Sequence, residues 1–161
     1  LHYAMIQNNL GTAYWNLAQH KQSAPDDEAG TGQGTSPSDW LQRAVRAYTE
    51  ALKYRTVEIV PAAYAATQNN LGTAHWHLAN LSGVASGERR QHLQQAIVAY
   101  RSTIATVNYL TAASTEHAPA LTFDPAATHN NLGLAYYQLA LDKQAQTDEA
   151  QRLDSLESAL Q

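Results

Sequence analysis

The chain of 161 residues has no cysteine, one methionine and one phenylalanine. Without cysteine there is no disulfide, no thiolate metal site and no cysteine nucleophile. Charge is also scarce: 15% of residues are charged, and ten Lys and Arg stand against fourteen Asp and Glu, for a net charge of −4. The basic residues are scattered, with Arg89 and Arg90 the only adjacent pair. Nucleic acid and anionic lipid both need a concentrated cationic patch, so neither is expected as a partner. No apolar run reaches the roughly 18 residues that a membrane span needs, and no secretory signal pattern is visible. A cytoplasmic location is therefore the expectation. The chain opens on Leu1 and closes inside a helical pattern at Gln161, so we expect a fragment of a longer protein.

Catalytic and metal chemistry find little to stand on. His75 and His77 are two residues apart and point to different sides of a helix, whereas metal pairs on helices sit at i and i+4. Asp26-Asp27-Glu28 lacks the Asp-x-Asp-x-Asp-Gly order of a calcium loop. The glycines at 30, 32 and 34 precede no Lys-Ser or Lys-Thr and so form no phosphate loop. No Ser/His/Asp set clusters. The expectation is no enzyme, no metal and no cofactor.

What the chain does have is a repeat. The block from Gln7 to Ala18, with Asn8-Asn9-Leu10-Gly11 near its start, returns from Gln68 to Ala79 and again from His129 to Ala140. Both spacings are 61 residues (68 − 7 and 129 − 68). A second block lies between the copies: Leu41 to Tyr48 matches Leu93 to Tyr100, and Leu153 to Leu160 is a fainter third copy. Leu10, Tyr14 and Leu17 recur at helical spacing, as do Leu41, Ala44, Tyr48 and Leu52. The unit is thus a helix A followed by a helix B, used three times. We expect six helices in three hairpins, with units at about 1–55, 56–109 and 124–161 in one array. Asp124-Pro125 and Pro61 read as helix starts, and Ser38 and Ser86 as N-caps of the first two B helices. Residues 22–37, rich in Gly, Ser, Pro and Asp, predict a mobile loop. A third A–B connection is expected near residues 144–147.

Leu10-Gly11-x-x-Tyr14 followed by Ala44-x-x-x-Tyr48-x-x-Ala51 resembles the tetratricopeptide signature. The Asn-Asn-Leu-Gly form is similar to a bacterial long-repeat variant and to kinesin light chain repeats. His75 stands where the signature has Tyr, Thr103 where it has its second Ala, and Leu156 where it has its first. The 61-residue period also exceeds the family's usual length of about 34. The resemblance implies an all-α fold, a right-handed α-solenoid of three helix-turn-helix hairpins whose A helices line a concave, ligand-binding face.

At about 100° per residue, Leu10, Tyr14 and Leu17 place the core on one side of helix A. The other side carries Asn8, Thr12, Trp15 and Asn16. The second unit repeats this with Asn69, Thr73, Trp76 and His77, and the third with Asn130, Leu134, Tyr137 and Gln138. These amides could bind both edges of an extended peptide backbone, with the aromatics as side-chain pockets. Equally, the asparagines could hydrogen-bond the adjacent helix and fix the stacking register, and the tryptophans could pack under loops. No Lys or Arg falls in this set, so binding is expected to depend only mildly on salt. The functional expectation is a module that binds a protein or peptide. The alternatives are a structural scaffold that self-associates end to end, and the sensor arm of a larger signalling protein fused to a switch ATPase or a protease.

Overall fold

The computed structural model describes residues 1–23, 35–113 and 120–159, and among them every regular element is a helix. Helix α1 spans His2–Ser23, α2 Pro37–Leu52, α3 Pro61–Ala79, α4 Ser86–Ala113 and α5 Pro125–Ala159. In the language of the repeat, α1, α3 and α5 carry the A blocks, and α2 and α4 the B blocks.

Local chemistry sets the helix starts. Pro37 opens α2, and the cap is Ser36 rather than Ser38. The Ser36 hydroxyl accepts from the Asp39 N–H at 3.1 Å, and the Asp39 carboxylate accepts from the Ser36 N–H at 3.0 Å, a reciprocal capping box. The reason is Pro37: its fixed φ and missing N–H suit the first helical position, which moves the cap one residue before it. Ser86 is likewise the first helical residue of α4 rather than its cap. Pro61 opens α3, and Asp124 caps α5 by accepting from the Ala126 N–H at 2.9 Å. Gly83, at φ +78°, turns the chain between α3 and α4 in a conformation that side chains other than glycine's resist. The expected loop is shorter than 22–37, since residues 22, 23 and 37 are helical; its remainder, 24–34, lies outside the described residues.

Five helices, not six, make up the described chain. The break expected near residues 144–147 is absent, and α5 continues as one helix of 35 residues. From Lys143 to Arg152 the sequence is Ala, Gln, Lys, Glu, Arg and Asp with a single Thr. These are mostly strong helix formers with no glycine or proline among them, so nothing local ends the helix.

Each helix packs against the next, and α1 touches α3 as α3 touches α5. Neighbours run antiparallel. Tyr3 near the start of α1 meets Tyr54 just past the end of α2, and Tyr64 in α3 bonds Ser102 in α4. The three A-bearing helices run parallel, Asn8 meeting Thr67 and Asn69 meeting Thr128.

The buried face of α1 is not the leucine stripe. Ala4 and Ala18 are fully buried together with Gly11, while Leu10 is 37% and Leu17 43% exposed. Small residues take the inner face because they let α2 approach closely. The large aliphatics face where α1 has no described neighbour. The equivalent leucines of the second unit, Leu71 and Leu78, do have one: they pack against Tyr48, Ala44, Ala18 and Leu41 of the unit before. An internal A helix therefore has two buried faces, and a single helical-wheel centre cannot describe it.

Candidate functional site

Two repeated contacts hold the A helices in register. The first joins A to A. The Thr67 hydroxyl, fully buried, lies 3.0 Å from Asn8 Oδ1 and 2.9 Å from the carbonyl of Ala63. One repeat on, the Thr128 hydroxyl lies 2.9 Å from Asn69 Oδ1 and 3.4 Å from the carbonyl of Asp124. Asn8 and Asn69 thus spend a carbonyl oxygen on the neighbouring helix. Asn130 holds the same place in the third block and is exposed. Asn69→Ala is therefore expected to cost about 0.5–1.5 kcal/mol of stability, and Asn130→Ala less than about 0.5 kcal/mol. Urea unfolding of the two variants side by side checks this, and equal losses would contradict it.

The second contact joins A to B. The Tyr48 ring lies over Gly11 and the Tyr100 ring over Gly72, so close that a Cβ on either glycine would sit 2.6 Å and 2.8 Å from the ring. Each phenol donates onward, Tyr48 to Thr12 Oγ1 at 3.2 Å and Tyr100 to Thr73 Oγ1 at 3.3 Å. Each threonine in turn donates to the carbonyl four residues back, at Asn8 and Asn69. Burial pushes the Tyr100 phenol up to about 12. Thr12 and Thr73 consequently have their hydroxyl protons committed within the fold.

The tryptophans lie between helices. Trp15 packs against Ala18, Leu41 and Leu78, and Trp76 against Ala79, Leu93, Ile97 and Ala135. The His77 ring lies edge-to-face with both, at centroid distances of 5.5 Å and 5.1 Å. His77 Nδ1 also meets Gln19 Nε2 at 3.3 Å. The indole N–H groups of Trp15, Trp40 and Trp76 are buried, with no acceptor among the described residues. These rings fill the joints between units rather than standing open as pockets. In the third block Leu134 and Tyr137 are exposed, the latter by 62%, and Asn16 of the first is exposed too. Gln138 exchanges amide bonds with Asn80 at 2.9 Å and 3.3 Å, tying α5 to the end of α3.

The open concavity on this side is a cavity of about 600 Å³ between α1, α3 and the chain leading into α5. Asn8, Asn9, Thr12 and Asn70 give it amide and hydroxyl walls, Ala62, Ala63 and Ala66 a smooth floor, and Phe123 an apolar side. It also contains a residue absent from the sequence-based set. Arg55, from the connection between α2 and α3, reaches its wall and donates to Thr67 Oγ1 at 2.8 Å. The sequence hid this residue because it lies outside both repeated blocks. A much smaller space, of about 10 Å³, lies between α4 and α5, bordered by Val107, Phe123 and Thr128.

His75 and His77 face different neighbours, as their spacing implies: His77 lies against Trp15 and Trp76, whereas His75 meets His92 of α4, Nδ1 to Nδ1 at 3.1 Å, so one ring must carry its proton there. Burial and the neighbouring His92 lower His75 to about 4. Glu88 lies 3.9 Å from His92 Nε2. Among the described residues no cluster of three or more His, Cys, Asp or Glu side chains could hold a metal ion. Nor is any described helix long and apolar enough to cross a membrane.

Compared with protein-family models, with curated proteins and with solved structures, the chain matches none.

Proposed function

We propose that the chain is a protein-interaction module of the tetratricopeptide type, a right-handed solenoid that binds an extended segment of another protein along its A helices without catalysis. The observation that carries this reading is the cavity of about 600 Å³ where α1 and α3 run parallel, walled by the amides of Asn8, Asn9 and Asn70. Repeated amides at the edge of an open concavity suit a ligand that offers alternating C=O and N–H groups. The reading keeps Asn8 with the exposed Asn130 and Tyr137, adds Asn9 and Asn70, and releases Trp15 and Trp76, whose rings the core uses.

A selection from a random-peptide display library tests it. The expected result is a family of extended sequences whose binding falls about tenfold, or about 1.4 kcal/mol, on Asn70→Ala. Selected binders indifferent to both Asn70→Ala and Asn9→Ala would sink the groove reading.

A second reading, self-assembly, rests on its own observation. Ile6, Leu10 and Leu17 on α1, and Leu134, Tyr137 and Leu141 on α5, leave large apolar groups exposed at both ends of the helix row. Exposed apolar faces of this kind mark association surfaces. Concentration-dependent light scattering separates the two readings, since self-assembly alone predicts growth of the particle with concentration.

A further inference from the structure

One face of α5 is open where the same face of α1 and α3 is closed. Gly11 and Ala18 of α1 are buried, as are Gly72 and Ala79 of α3, but Gly133 and Ala140 of α5 are exposed. In the first two units a B helix covers this face. Leu41 shares a buried cluster with Ala18, and Leu93 with Ala79, while the Tyr48 and Tyr100 rings lie over Gly11 and Gly72. Tyr14 and His75 lie against Trp40 and His92 of the same B helices. Their counterpart Tyr136 is exposed, as are Leu134, Tyr137 and Leu141 around it. Among the described residues nothing comes within 4 Å of a Cβ on Gly133.

The chain carries a B block for this seat, but its own helix holds the block away. Leu153 to Leu160 repeats Leu41 to Tyr48 and Leu93 to Tyr100. Because α5 is one helix from Pro125 to Ala159, Leu153 lies about 20 Å further along the axis than Ala140. The block cannot cover its own A block without breaking that helix. The antiparallel register of the first two units, carried over to the third, sets Ala140 opposite Leu153 and Gly133 opposite Leu160. Its midpoint falls between Gln146 and Thr147, inside the stretch where a connection between A and B was expected. Two α5 helices crossing antiparallel at that point would each lay a B block on the other's open face.

We propose that the open face of α5 is the seat of a second copy of this chain. The two α5 helices pair about a two-fold axis at Gln146 and Thr147, and the B block of each copy covers Gly133, Tyr136 and Ala140 of the other. This rests on the self-assembly reading above and deepens it by naming the partner, the helix that binds it and the size of the particle. Exchange of an identical element between copies, with the connection straightened, is domain swapping, and a two-fold contact of this kind closes at the dimer. The apolar face of α1 and the cavity between α1 and α3 take no part. In dilute solution the chain is single and Gly133 stays open.

The chain has no cysteine, so introduced cysteines report one contact at a time. Ala140→Cys and Leu153→Cys are made in separate chains and also together in one. Mixed at about 0.5 mM and oxidised, the two single variants are expected to form a disulfide-linked dimer. Neither should do so alone, because the two copies of either position lie about 20 Å apart in the pair. Sedimentation of the parent at the same concentration should show a particle of twice 17.6 kDa and nothing larger. Leu156→Asp should raise the dissociation constant of that dimer about tenfold or more, and Ile6→Ser on α1 should leave it unchanged. A double variant that closes its disulfide within one chain overturns the exchange, since the third unit then folds its own B block back. A parent that grows past the dimer, with no cross-link between positions 140 and 153, overturns the α5 pairing but leaves self-assembly through other faces standing. A parent that stays single at this concentration ends both.

Discussion

Alanine at Gly72 is expected to lower the stability of the protein, and alanine at Gly133 to raise it. Both glycines lie inside helices at the same place in the repeat. Each therefore carries the same intrinsic penalty, about 1 kcal/mol relative to alanine. They differ in what faces them. A Cβ at Gly72 would sit 2.8 Å from two ring carbons of Tyr100. That ring is 1% exposed and its hydroxyl is bonded to Thr73, so it has no easy way to yield. Overpacking of this kind costs about 1–3 kcal/mol, which outweighs the propensity gain. At Gly133 no described atom lies within 4 Å of the added carbon, so the propensity gain stands alone. In a chain of this size 1 kcal/mol moves the midpoint by roughly 2–4 °C. Thermal melts of Gly72→Ala and Gly133→Ala should thus move in opposite directions from the parent. A loss at Gly133 matching that at Gly72 would mean that the third unit does close a B helix over its glycine.

This contrast shows what the sequence made legible and what it hid. The A and B blocks were readable because helical periodicity and a fixed period are local properties of the chain. The pairing of Gly11 with Tyr48 and Gly72 with Tyr100 was implicit in the same blocks, since both members recur. The continuity of α5 was not, because a faint pattern of leucines says nothing about where a helix stops when no breaker is present. The proposed binding face was only half legible. Trp15 and Trp76 fell on the outer side of a wheel centred on the leucines, yet an internal A helix is buried on two sides, and the tryptophans fill the second. Asn8 and Asn69 each bond the next helix through the carbonyl oxygen, the stacking role that the sequence left open beside peptide binding. Arg55 escaped notice because it belongs to a connection, and only packing decides what a connection faces.

Acid is expected to destabilise the protein through His75, and a single tyrosine should remove most of that effect. His75 occupies the position held by Tyr14 and Tyr136 in the other units. It packs against α4, where its ring lies 5.3 Å from that of His92. Burial, then the charge of His92, lowers it from 6.5 to about 4. His92 and His77 are lowered as well, each chiefly by burial, with Glu88 pulling His92 partly back. The unfolded chain takes up a proton at His75 near pH 6.5, whereas the folded chain refuses it until about pH 4. Stability is therefore complete above pH 6.5 and falls as the pH drops through that window, levelling off below it. At about 1.36 kcal/mol per pH unit, the full window amounts to about 3 kcal/mol, and the step from pH 7 to pH 5 to about 2 kcal/mol. His75→Tyr places a group there that stays neutral throughout this range, and should cut the loss between pH 7 and pH 5 to what His77 and His92 leave. Urea unfolding of parent and variant at the two pH values measures it. A variant that loses as much stability as the parent would show that His75 takes up its proton in the folded state at an ordinary pH, and that the pocket between α3 and α4 is wetter than its packing indicates.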